Sequence, residues 1–194
     1  GGFSKGIYKS LNCGRGSGDN NKNVIKNLNY ISQKLLVKKN KLILMNQTHS
    51  NKIIEIKKNN YNRKINADAM ITRIKGVALG VVTADCVPII IYESNNKIIG
   101  CVHAGWKGAI NKIIENKINK IRRINSNNKI FASIGPCIGK KSYEVGFNFY
   151  KKFITLSRKN KKYFSKKNKN KKLFNLRKYV ADKLIDLEVE VDHV

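Results

Sequence analysis

The pattern of apolar and polar positions divides the chain into helical and extended segments. After Asp19 or Asn20, either of which can cap a helix, Val24, Ile25, Leu28, Ile31 and Leu35 recur at helical spacing. They predict a helix to about Leu36 with one buried face. Lys41–Met45 and Ile53–Ile56 are short apolar runs of strand type, separated by the polar stretch Asn46-Gln47-Thr48-His49-Ser50-Asn51. Ala67–Thr72 then opens a series of extended runs. Gly76–Thr83, Val87–Tyr92 and Lys97–His103 are rich in Val and Ile and nearly all apolar, as in strands covered on both faces. Asn95-Asn96 reads as a hairpin turn between the last two.

Further on, Trp106, Ile110, Ile113, Ile114, Ile118 and Ile121 form an apolar stripe, which predicts the longest helix over about Trp106–Arg123. Lys129–Ile134 reads as a strand, and Tyr143–Gly146 leads into a short helix to about Ile154. Lys159–Lys172 is almost entirely Lys and Asn and reads as a mobile surface loop. Asn175 caps a last helix to Leu187 with Leu176, Val180, Leu184 and Leu187 inward, and Val189–Val194 reads as a strand. No internal repeat or linker divides the chain. The expectation is one α/β domain with mixed β-sheets flanked by helices.

Composition adjusts this picture in two places. A chain of 194 residues with 41% hydrophobic content can bury one good core. No apolar run reaches the length of a membrane span. The formal charge of +28 raises the question of nucleic acid, but the lysines spread over nearly the whole chain among Asn and Ile. That distribution describes a solvated surface rather than a dedicated groove, and leaves a positive field that attracts anionic substrates. The four cysteines, Cys13, Cys86, Cys101 and Cys137, are scattered and include no CxxC pair, which points to a reduced, cytoplasmic setting. The Gly14, Gly16, Gly18 run lacks the spacing and the preceding strand of a dinucleotide loop.

The unusual chemistry is concentrated in Thr83-Ala84-Asp85-Cys86-Val87-Pro88 and Cys101-Val102-His103-Ala104-Gly105-Trp106-Lys107-Gly108. Cys86 sits in a turn after one apolar run, and His103 ends a later one beside small residues. Ends of adjacent strands bearing Cys and His suggest either a nucleophile pair or two ligands of one metal. His49, in another loop after a strand, can converge on the same sheet end as a third ligand. Two imidazoles and one thiolate leave zinc a fourth, open position. His193, near the terminus, reads as a surface residue.

These stretches resemble the YfiH family, also described as laccase-domain or multicopper polyphenol oxidoreductase-like proteins. The resemblance is carried in order by Gly1-Gly2-Phe3-Ser4, Ser10-Leu11-Asn12, Asn46-Gln47-Thr48-His49 and Ala67–Thr72, then by Thr83–Pro88 and His103–Gly108. Ile134-Gly135-Pro136-Cys137-Ile138 and Tyr143-Glu144-Val145-Gly146 complete it. It implies a CNF1/YfiH-like α/β domain over residues 1–194, a zinc site of His49, Cys86 and His103, and purine nucleoside chemistry. That chemistry comprises phosphorolysis of adenosine, inosine or methylthioadenosine and deamination of adenosine, with a nucleoside and phosphate as partners. Lys107, Asp85 and Asn12 are the implied substrate-binding residues. Lys107 stands where the family more often has Arg, and the family usually continues through a C-terminal segment with Cys-Thr and Arg-rich motifs. Copper is the less favoured metal, because multinuclear copper sites need more imidazoles than three histidines provide.

Three other readings use the same residues. Cys86 and His103 could form a metal-free hydrolase dyad. The chain could edit a nucleotide-linked peptidoglycan precursor. It could also be a basic nucleic-acid-binding protein with a vestigial site.

Overall fold

The computed structural model describes residues 1–60, 64–124 and 129–193, the side chain of His193 excepted; the expectation for His193 therefore lies outside the described residues. The elements run α1 (Asn21–Lys34), β1 (Leu42–Leu44), β2 (Ile53–Ile56), β3 (Ala69–Thr72), β4 (Ala78–Gly80), β5 (Val87–Glu93) and β6 (Ile98–Ala104). There follow α2 (Trp106–Ile110), α3 (Ile113–Arg122), β7 (Ile130–Ile134), β8 (Glu144–Gly146) and α4 (Phe147–Leu156). The last are β9 (Phe164–Lys166), β10 (Lys171–Phe174), α5 (Leu176–Ile185) and β11 (Glu190–His193).

Six strands form the central mixed sheet, in the order β11-β7-β5-β6-β3-β2. The β5–β6 hairpin is antiparallel, and the Glu93 carboxylate accepts from the amides of Asn95 and Asn96 at its turn, at 2.8 and 2.9 Å. β3 and β6 are covered on both faces, as the apolar runs predict. Ala69, Ile71 and Val102 join the main core with Ile113, Ile114 and Ile118 of α3 and Val180 and Leu184 of α5. Met70 and Cys101 face a second cluster with Ile43, Met45, Ile56 and Val77.

Several expectations change. β5 is covered on one face only: Val87, Ile89 and Ile91 are buried, whereas Ile90 and Tyr92 are 53% and 42% exposed. Its unbroken apolar run hides an alternation in which both faces carry hydrophobic side chains. Gly76–Thr83 contracts to β4, a partly exposed strand paired in parallel with β1 in a separate two-stranded sheet. Ile25 and Leu35 of the first helix are exposed, and Asn27 and Ser32 occupy its buried face instead. Asn27 is held there because its side chain donates to the Asn12 carbonyl and to Ser4 Oγ and accepts from the Phe3 amide.

The helix expected over Trp106–Arg123 is two helices, broken where Lys112 adopts a left-handed conformation with φ 65°. Lys159–Lys172 is not a free loop. It forms a 3-10 turn and the strands β9 and β10, which join β8 in a three-stranded sheet. Tyr163 and Phe164, inside the Lys/Asn run, supply the reason. Phe164 stacks on Phe174 at 4.7 Å, and Tyr163 packs on Tyr179 at 5.0 Å and donates to Asp182. Two aromatic anchors outweigh the polar composition around them.

The least expected core residue is Lys117, whose ammonium is buried against the sheet and donates to the Met70 carbonyl. Burial lowers its pKa to about 7, while the neighbouring Cys101 thiol is pushed up by burial to about 11. Below about pH 7 the folded chain holds a costly buried cation. As pH rises, the unfolded chain still binds that proton, so stability increases. We expect denaturant-derived stability to rise from pH 7 to 9 by a few kcal/mol on the order implied by such a shift. In Lys117→Met the slope over that range should flatten.

Candidate metal centre

The Asp68 carboxylate, fully buried just before β3, organises the centre. One oxygen accepts from the His49 amide at 3.0 Å and from His103 Nδ1 at 2.8 Å. The other accepts from the Ser50 amide and hydroxyl at 2.7 Å each, and from the Thr48 amide and hydroxyl at 3.2 Å each. The same residue's carbonyl accepts from the His103 amide at 2.8 Å. These donors fold the Thr48–Ser50 loop around one charge and hold His49 in a left-handed conformation, φ 56°.

A second clamp joins this loop to the one bearing Cys86. The Gln47 side chain donates to the Val82 carbonyl at 2.7 Å and accepts from the Val82 amide at 2.8 Å, as a strand partner would. The Cys86 loop is tied in turn to the next one, because the Ile138 amide donates to the Asp85 carbonyl at 3.0 Å.

The clamps bring His49, Cys86 and His103 together, with one nitrogen or sulfur ligand atom from each lying within 4.8 Å of the others. Cys86 Sγ is 3.8 Å from His49 Nε2, and the two imidazoles meet edge to face at 4.8 Å. Access is graded: His49 is exposed, Cys86 half-buried and His103 buried. Gly105 closes the back, since a Cβ there would lie 3.0 Å from both Cys86 Sγ and His49 Cδ2. The small residue beside His103 thus makes room for the cluster's own atoms.

The electrostatics favour a cation. Burial raises the Asp68 carboxyl, but the bonds from His103, Ser50 and Thr48 overcome this and hold it below the usual range. Burial lowers His103, against the opposing pull of Asp68, so the imidazole is neutral. With Nδ1 bonded to Asp68, Nε2 keeps its lone pair, the carboxylate–histidine arrangement of metal sites. The Cys86 thiol is raised by burial and then by Asp85 and Asp68, so without a cation it is protonated and a weak nucleophile.

Residues 1–194 match the family model described as multi-copper polyphenol oxidoreductase laccase. The chain belongs to that family. Its fold is similar to that of the Bacillus licheniformis protein YfiH, with TM-score 0.90 and 27% identity over 99% of this chain and 78% of that one. A Neisseria meningitidis protein is similar at TM-score 0.88 and 27% identity, covering 100% and 77%. A purine nucleoside phosphorylase of Rickettsia conorii is 42% identical over 127 residues, 63% of this chain and 50% of the relative. An adenosine deaminase from an unknown prokaryotic organism is 30% identical over 151 residues, 73% and 58% of the two chains. The laccase-family chain thus spans about half the length of the first of these relatives.

Within this laccase-family domain the other expected residues are dispersed. Asp85 is exposed beside Cys86, on whose thiol its charge acts. Lys107 is exposed on α2, with its ammonium 5.8 Å above the Trp106 ring. Trp106 is half-buried and packs on Phe149 at 4.9 Å, so it anchors α2 to α4. At five residues, α2 has little of the dipole that a long helix would bring to an anion. Asn12 lies in the N-terminal loop with its amide engaged: it donates to Ser17 Oγ and Asp19 and accepts from the Gly14 amide.

Sequence reasoning missed Asp68 and Gln47 as builders of the site. A single acid opening the apolar run Ala69–Thr72 was the available signal for Asp68. We expect Asp68→Asn, which cannot accept all of these donors, to lower metal affinity about 10–100-fold, measured by chelator competition. Undiminished affinity in that variant would contradict the role assigned to the carboxylate.

Proposed function

We propose that this chain is a zinc-dependent purine nucleoside phosphorylase acting on adenosine, inosine and methylthioadenosine, with adenosine deaminase activity at the same centre. The observation that carries the reading is the His49, Cys86, His103 cluster with His103 fixed by Asp68. The names of the relatives support the substrate class.

The donor set fits zinc. Bonds of about 2.3 Å to sulfur and about 2.0 Å to nitrogen at tetrahedral angles place such atoms about 3.5 Å apart, near the 3.8 Å between Cys86 Sγ and His49 Nε2. A multinuclear copper oxidase centre needs more imidazoles than the chain's three histidines. When bound, zinc supplies Lewis acidity and a lowered pKa for water at its open position.

The chain's residues contribute orientation and charge. Asp68 keeps the His103 proton on Nδ1 and stiffens the His49 loop. Exposure on the His49 side leaves an approach for a nucleoside. Lys107 is the proposed phosphate-binding cation, acting as a point charge rather than a bidentate fork. Asp85, beside the Cys86 thiol, is the proposed group for holding or passing a proton to the purine, and Asn12 shapes the N-terminal loop that borders the substrate.

The test is phosphate-dependent release of free base from adenosine or inosine by the purified chain, together with ammonia release from adenosine. We expect both activities to fall to background with chelator and in Cys86→Ala, which should also lose zinc. Full turnover by a Cys86→Ala chain that retains zinc would overturn the metal assignment. Turnover by a zinc-free wild-type chain would favour the Cys–His dyad.

A further inference from the structure

A cavity of about 720 Å³ is walled in part by the segments that lead into His49 and Cys86. Its walls are Cys13, Gly14, Arg15 and Gly16 of the N-terminal loop, Leu44–Gln47, Lys64, Ile65 and Val82. It shares two supports with the centre. Gln47 lies two residues before His49, and the Val82 backbone that Gln47 clamps lies four residues before Cys86.

The lining is sorted by chemistry. Leu44, Met45, Ile65 and Val82 are its apolar lining residues. The charged lining residues are Arg15 and Lys64, both exposed and both cationic, and no acid lines the cavity. Among the described residues neither cation forms an ion pair. The Gln47 amide is spent on Val82, and Asn46 Nδ2 donates to Asn66 at 2.9 Å, which leaves Asn46 Oδ1 as an acceptor. The loop carrying Arg15 is already folded, because Asn12 binds the Gly14 amide and Ser17 donates to the Gly14 carbonyl. A volume within the usual range for small-molecule sites, about 300–1,000 Å³, with apolar residues and two cations in the lining, suits a flat ring joined to an anion.

We infer that this cavity binds a nucleoside monophosphate, with its phosphate at Arg15 and Lys64 and its base among the apolar lining residues against Asn46. The choice of an adenine base rests on the phosphorylase and deaminase reading of the neighbouring centre; the anionic and apolar requirements rest on the lining alone. The phosphate is held by charge and by the guanidinium's bidentate geometry. An exocyclic amine matches Asn46 Oδ1.

Calorimetric titration of the full chain with AMP, adenosine and inorganic phosphate, at physiological salt, tests this. AMP should bind at least tenfold more tightly than adenosine or phosphate. Arg15→Ala/Lys64→Ala should reduce AMP to the level of adenosine while leaving metal content and thermal midpoint unchanged. Lys166→Ala/Lys169→Ala, which removes equal charge from exposed positions on the β9–β10 hairpin, should leave AMP binding intact. Equal binding of AMP and adenosine by the wild type would overturn the inference. So would an AMP preference that survives the Arg15/Lys64 change, an equal loss in the control variant, or inorganic phosphate binding as tightly as AMP. Arg15-dependent AMP binding by a chain that turns over no nucleoside would remove the proposed activity and keep the cavity's ligand.

Discussion

One buried carboxylate holds the site together. Asp68 has no exposure to water, and an isolated charge in that place would cost several kcal/mol on the order expected for a buried ion. It is tolerated because His49, Ser50, Thr48 and His103 surround it with donors. The dependence runs both ways. The same bonds that satisfy the acid fold a loop that has no regular structure of its own, and they fix the tautomer of a cluster histidine from a neighbouring strand. Removing the charge therefore affects loop and ring together.

The rest of the sheet places the partners of that carboxylate. β3 and β6 are adjacent and antiparallel, with Ala69 opposite Val102, so Asp68 and His103 meet at the sheet end. β5 pairs with β6 on the other side, with Val87 opposite Ala104, which brings Cys86 beside Gly105. Asp68 and His103, 35 residues apart, thus meet through strand register. The site rests on a sheet core covered by α3 and α5, and only His49 comes from a loop with no strand beneath it. That loop is the one that needs both Asp68 and the Gln47 clamp.

Much of this was legible in the sequence, for identifiable reasons. Strands β3, β5 and β6 announce themselves as Val/Ile runs; of the two expected caps Asp19 and Asn20 it is Asn20 that accepts a helix amide, and Asn175 does the same as expected. His49, Cys86 and His103 were legible as scarce chemical groups at element ends. What composition concealed was local. Tyr163 and Phe164 order a lysine-rich stretch through aromatic contacts that no average over the segment reports. Lys112 breaks a continuous apolar stripe without a Gly or Pro to signal it. Lys117 falls on the polar side of the expected pattern yet is buried, because its ammonium finds a main-chain carbonyl inside the sheet. Asp68 was visible as a residue and invisible as a hub, since its partners lie up to 35 residues away.

The most direct measurement of the proposed metal centre is X-ray absorption at the zinc edge on the purified chain loaded with one equivalent of zinc. The expected spectrum shows one sulfur at about 2.3 Å and two imidazole nitrogens at about 2.0 Å, with a further light-atom neighbour completing four-coordination. A spectrum with no sulfur neighbour, or zinc bound only by oxygen donors, would contradict a centre built from His49, Cys86 and His103.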